Sequence, residues 1–237
     1  MKRFDQHVVR RVHGLALAKQ SARAWLVLLF EDPTSSFASQ ALHAVLATLT
    51  FGSTVLLVML TFFGMGFGIV DSLLFVYLKD EFGASKLLCG LTVTANVVFE
   101  IPIFYYAKQI QAAMGHQAMV AVALLAYSTR VYGYTLLTAG NYKLVLALEG
   151  LHGLTFAMMW TATVAIATKI SPPEWRSATM AVVQAFMGCL GWGGGSAVGG
   201  WAAQQYGFRP MFRVAACTFA GLQVLHLASW KLGVFKF

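Results

Sequence analysis

The sequence predicts an all-α integral membrane protein of six transmembrane helices, and three observations carry that reading. The residues Ala, Val, Ile, Leu, Met, Phe, Trp, Tyr and Cys make up 58% of the 237-residue chain. Asp, Glu, Lys and Arg make up only 11%, against about 25% in a soluble domain. A soluble fold of this size could not cover its surface with so few charges, and so apolar a chain does not stay disordered. The third observation is segmentation: six apolar stretches recur, each reaching the ~20 residues that a helix needs to cross a bilayer.

Residues 1–43 contain no span. Trp25 to Phe30 is apolar but too short, and Glu31-Asp32-Pro33 ends it. Val8, Val12 and Leu15 recur at helical spacing among arginines, the pattern of an amphipathic helix lying on a membrane surface. An Arg-rich, acid-poor start is also the pattern of an organellar transit peptide. The segment holds six of the 17 basic residues (Lys2, Arg3, Arg10, Arg11, Lys19 and Arg23) and three acids, Asp5, Glu31 and Asp32. Such a flank marks the cytoplasmic side and favours anionic lipid. No basic helix or RNA-type aromatic motif accompanies the charge, so nucleic acid is not an expected partner.

The first apolar segment is Leu46–Leu78, long enough to tilt or to extend beyond the membrane. Lys79 to Lys86 reads as a polar turn. The second segment is Leu87–Lys108, the third Gln117–Thr138 and the fourth Tyr142–Lys169. Lys169 to Ser177 contains Pro172-Pro173 and reads as a loop. The fifth is Ala178–Gln205 and the sixth Pro210–Gly233, so residues 44–233 form the membrane domain and 234–237 a short tail. The connections are short, which predicts that consecutive helices are antiparallel neighbours. With the N-terminus cytoplasmic, 11 basic residues fall inside and five outside. Without residues 1–43 the two sides are equal, so that segment decides the orientation.

Four segments carry charges that hydrophobicity alone would forbid: Asp71, Glu100, Arg130 and Glu149, the last with His152 beside it. Each costs at least ~2.5–3.5 kcal/mol at a helix centre. They are therefore expected to turn inward and meet. Spacing agrees. Thr92, Asn96 and Glu100 share one helix face; Tyr127, Arg130 and Tyr134 share another; Glu149, His152 and Phe156 share a third. Three acids face one arginine, so two acids lack a fixed counter-charge. In low dielectric such carboxylates tend to take up protons, and His152 can hold one near neutral pH. The set suits proton binding and release. The plainer alternative is that Arg130 pairs with one acid and the rest are hydrogen-bonded struts.

Enzyme chemistry finds no support. Glu149-x-x-His152 is half of a di-metal motif whose second half is missing. Cys89, Cys189 and Cys217 are scattered. No cofactor is expected. Two glycine patterns stand out. Gly64, Gly68 and Asp71 share a face, and Gln184, Gly188, Gly191, Gly195 and Gly199 form a stripe. Small residues in such stripes let helices pack backbone to backbone, statically or as a sliding surface.

Several stretches together carry a likeness: Gly64–Asp71 (GMGFGIVD), Tyr77–Pro102 (YLKDEFGASKLLCGLTVTANVVFEIP), Leu148–Trp160 (LEGLHGLTFAMMW), Pro172–Thr179 (PPEWRSAT) and the glycine-rich Gln184–Gly207. Over about residues 44–233 the chain resembles the C-terminal half of a major facilitator superfamily transporter, nearest the lactose-permease and nucleoside–proton-symporter-like branch. The resemblance implies half of a proton-coupled symporter, built as two inverted three-helix repeats. In lactose-permease-type proteins that half uses a Glu, an Arg and a His/Glu pair on its second, third and fourth helices. Glu100, Arg130 and the Glu149/His152 pair stand on the corresponding helices here. One departure is the order: Glu149 precedes His152 by three residues, the reverse of the permease pattern.

On this reading Glu100, Glu149 and His152 bind protons, and Arg130 and Asp71 act as counter-ions. Asn96, Tyr127, Phe156 and Trp160 are candidates for a solute face. A missing N-terminal half, or a second copy, completes the transporter. The rival expectation is a non-transporting membrane receptor or scaffold, or a truncated remnant; the missing half favours it and the retained intramembrane charges oppose it.

Overall fold

The computed structural model describes residues 51–171 and 173–233. The surface helix expected in residues 1–43, the start of the first span and the tail 234–237 lie outside the described residues. Among the described residues, six helices are long and apolar enough to cross a membrane. They are α1 (Phe51–Phe82), α2 (Lys86–Tyr105), α3 (Ala107–Tyr134), α4 (Tyr142–Ile170), α5 (Arg176–Tyr206) and α6 (Phe208–Lys231). No strand occurs among the described residues.

Local chemistry sets the ends. α1 continues past Leu78, so Lys79, Asp80 and Glu81 form its last turn and not a loop. Gly83 then closes it with φ 63°, a left-handed conformation that costs a glycine little. Ser85 caps α2 by accepting from the Leu88 amide at 3.2 Å, which satisfies one of the first-turn donors. In α3 the backbone breaks at Gly115 (φ 76°, ψ 167°). The uninterrupted span thus starts next to the expected Gln117, and residues 107–114 form a separate helix of about two turns before it.

Two helices are composite. α4 joins a 3-10 turn (Tyr142–Leu144), a short helix (Val145–Glu149) and a long one (His152–Ile170), with Gly150 and Leu151 between the last two. α5 runs from Arg176–Gln184 through a nine-residue π-helical stretch, Ala185–Gly193, into Gly194–Tyr206. Wide turns of this kind are rare and occur mostly as single-turn bulges.

The packing corrects one expectation. Consecutive helices are not generally the main neighbours. α1 lies along α5, α2 lies along α4, and α3 packs between α4 and α6. Short connections hold helix ends together, but they do not decide which faces meet. Glycine decides that for α1 and α5. A Cβ on Gly64 would sit 2.0 Å from the Met187 carbonyl oxygen, and one on Gly68 would sit 2.1 Å from that of Trp192. One on Gly195 would sit 2.1 Å from the Met65 carbonyl oxygen. Ser196 Oγ bridges the same seam, 2.8 Å from Ser72 Oγ and 3.1 Å from the Gly68 carbonyl. Gly191 and Gly199 also lie in it. Gly188 does not: a Cβ there would meet nothing within 4 Å. The π stretch changes the angle between successive residues, so a stripe counted at α-helical spacing loses its phase there.

The pairing has an internal order. The first helix of each triplet (α1, α4) packs on the middle helix of the other (α5, α2), and the two third helices (α3, α6) pack together. These are cross-pairings of the kind that two inverted three-helix repeats make, but α3 also packs closely on α4 while α6 barely meets α1. α1 is the most buried span, with 56% of its most apolar window inside the bundle, and α2 the least, with 11%. Phe63 and Phe67 of α1, Tyr127 of α3 and Phe219 of α6 form an aromatic core, with Tyr127 stacked on Phe219 at 3.8 Å between ring centres. Val58, Leu125, Val214 and Leu225 are exposed, as a lipid-facing surface requires.

Candidate functional site

The buried centre of the site is Arg130 on α3, 0% exposed. Its Nε donates to Glu149 Oε1 at 3.0 Å and its Nη2 to Oε2 at 2.9 Å. This is the two-pronged geometry that makes Arg–carboxylate pairs strong. Tyr134, one helical turn after Arg130, donates its hydroxyl to Glu149 Oε1. Arg130 Nη1 lies 3.0 Å from His152 Nδ1. Since a guanidinium only donates, Nδ1 accepts and the imidazole is neutral, with its proton on Nε2. That Nε2 faces Glu100 Oε2 at 3.9 Å, too long for a hydrogen bond.

The backbone explains why Glu149 and His152 reach the same arginine. Between them the Leu151 amide bonds the Leu148 carbonyl at 3.1 Å, a 3-10 contact. In 3-10 geometry, side chains three residues apart eclipse, so both point at α3. Glu100 arrives by a close approach of helices. A Cβ on Gly153 would lie 2.4 Å from the Phe99 carbonyl oxygen, so only a glycine lets the α2 backbone come this near α4.

These groups border a cavity of about 380 Å³. Its polar lining is Asp71, Asn96, Glu100, Glu149 and His152; its aromatic lining is Phe67, Phe75, Phe156 and Trp192. Asp71 is exposed there, and among the described residues its carboxylate makes no ion pair or hydrogen bond. Asn96 Oδ1 is buried without a hydrogen-bond partner. A larger cavity of about 560 Å³ lies between α1, α5 and α6, lined by groups such as Ile69, Val198 and Val214. Its lining has no Asp, Glu, His, Lys or Arg, so the charge chemistry belongs to the smaller one.

A family model described as the MFS_1 like family matches residues 30–214. The chain belongs to that family. Together with the six apolar helices, this makes it an integral, multi-pass membrane protein of the major facilitator superfamily, and the family implies transport of small solutes. No solved structure matches the chain.

Within this MFS_1-like chain the structure brings together Glu100, Arg130, Glu149 and His152, with Asn96 and Phe156 beside them. Glu149, not Asp71, is the carboxylate against Arg130. Tyr127 is 0% exposed and packs in the aromatic core, away from the cavity lining. Trp160 stacks on Phe156 at 6.3 Å but is outside that lining as well. Of the glycines, Gly64, Gly68, Gly191, Gly195 and Gly199 serve the α1–α5 seam. Sequence reasoning missed Phe67, Phe75 and Trp192. The two phenylalanines were readable, since they lie one turn before and one turn after Asp71 on the same helix. Trp192 was not, because its direction depends on the π stretch.

Proposed function

We propose that the chain is the C-terminal half of a proton-coupled solute symporter working by alternating access. In this reading it has a cytoplasmic N-terminus, residues 1–43 meet anionic lipid, and an N-terminal half or a second copy covers the cavity. The observation that carries the reading is the charge balance inside the spans. Arg130 is engaged by Glu149 and His152, which leaves Asp71 and Glu100, among the described residues, without an Arg or Lys at ion-pair distance. An empty cavity in that state is costly within a membrane, and a proton on Glu100 lowers the cost.

Glu100, with the neutral His152 at 3.9 Å, is the first proton acceptor. Glu149 follows only when its contacts with Arg130 and Tyr134 open. The overwound turn at Gly150–Leu151 and the backbone-close α1–α5 seam are where a bundle of this design bends and slides. The test is uphill uptake into proteoliposomes driven by an inward pH gradient, with the complete transporter reconstituted. Glu100→Gln is expected to abolish uphill uptake while leaving counterflow of solute. Uphill uptake unchanged in that variant would remove Glu100 from the coupling step.

A further inference from the structure

We propose that the solute is an organic cation with a flat apolar group, its nitrogen held by Asp71 and its ring set against the aromatic wall of the cavity. This deepens the transport reading and rests on it. The first argument is charge. With Arg130 tied to Glu149 and His152 accepting from Arg130, the cavity retains two carboxylates, Asp71 and Glu100. One proton and one monovalent cation neutralise both.

The second argument is donor and acceptor balance. With the proton on Glu100, Asp71 and the unpartnered Asn96 Oδ1 are left as atoms that only accept, so the missing partner is a donor. A charged N–H group supplies that donor and the missing positive charge together. The third argument is the wall. Phe67 and Phe75 flank Asp71 at one turn on either side. The ring of Phe67 packs on Trp192 (6.2 Å, 28°) and on Phe156 (5.5 Å, 80°). A carboxylate between aromatic rings binds an ammonium by ion pairing and by cation–π attraction, which acts within about 6 Å of a ring centre.

The experiment is calorimetric titration of the full chain in lipid nanodiscs with three ligands of similar shape: phenethylammonium, 2-phenylethanol and phenylacetate. The cation is expected to bind at least about tenfold more tightly than the alcohol, as a charge-assisted hydrogen bond implies, and the anion not at all. Asp71→Asn removes that preference, and Asp71→Glu keeps it. Thermal stability of both variants separates loss of binding from loss of folding. Alcohol or anion binding as tight as the cation's, an unchanged Asp71→Asn, or no binding of any of the three overturns the proposal. Cation binding without uptake in liposomes would leave it standing and remove the transport reading. Proton-driven uptake of a neutral solute would do the reverse.

Discussion

His152 Nδ1 and Arg130 Nη1 lie 3.0 Å apart, with the imidazole as acceptor. One ring atom is thereby spent on holding the arginine, and the other faces Glu100. A full positive charge on His152 requires the arginine contact to open first. Nitrogen NMR of histidine-labelled protein should therefore show His152 as the neutral tautomer protonated at Nε2. A tautomer protonated at Nδ1 would contradict the contact.

Removing one member of the Arg130–Glu149 pair strands the other in the bundle. Arg130→Met and Glu149→Gln should each destabilise the protein by about 3–5 kcal/mol, as for other buried ion pairs. The double variant should lose much less than the sum. Unfolding in mixed micelles across the double-mutant cycle measures this, and simple additivity would mean that the two residues do not interact.

At Gly64 and Gly195 the α1–α5 seam should reject any side chain larger than hydrogen. Gly64→Leu and Gly195→Val place carbons on backbone oxygens that lie 2.0 and 2.1 Å from an ideal Cβ, so folded yield should collapse. Gly188→Ala meets nothing within 4 Å and should stay within about 1 kcal/mol of the parent. Yield of monodisperse protein by size exclusion compares the three.

Gly153→Leu should act at a distance on Glu100. Its side chain pushes the Phe99 backbone away from α4, carrying the neighbouring carboxylate out of reach of His152. The expected outcome is a lower folded yield, as at the α1–α5 seam, and solute uptake that no longer responds to a pH gradient in the protein that does fold. Full coupling in this variant would show that the closeness of α2 and α4 is not needed.

Much of the membrane topology is legible in composition and segment length, because the bilayer imposes both. The convergence of Glu100, Arg130, Glu149 and His152 is legible too, since intramembrane charge has so few ways to be accommodated. What the sequence hides is which helix lies beside which. Periodicity assigns Asp71, Arg130 and Tyr127 to faces of their own helices but not to neighbours. Arg130 therefore found Glu149 where Asp71 was also open to it, and Tyr127 found the aromatic core. Gly188 and Trp192 were hidden for a different reason: no residue pattern announces a π stretch.

That stretch also fixes how the two ends of α5 are oriented about a common axis. Residues Arg176–Gln184 sit on Ala185–Gly193 as a key sits on an offset shaft, turned by the surplus the wide coils contain. Excising a single amino acid between Ala185 and Gly193 would let ordinary coiling resume and rotate the whole upstream piece, Thr179 and Val183 included, off its present seating. Insertions and deletions in those nine positions are thus a dial on helix azimuth, separate from any change in side-chain chemistry.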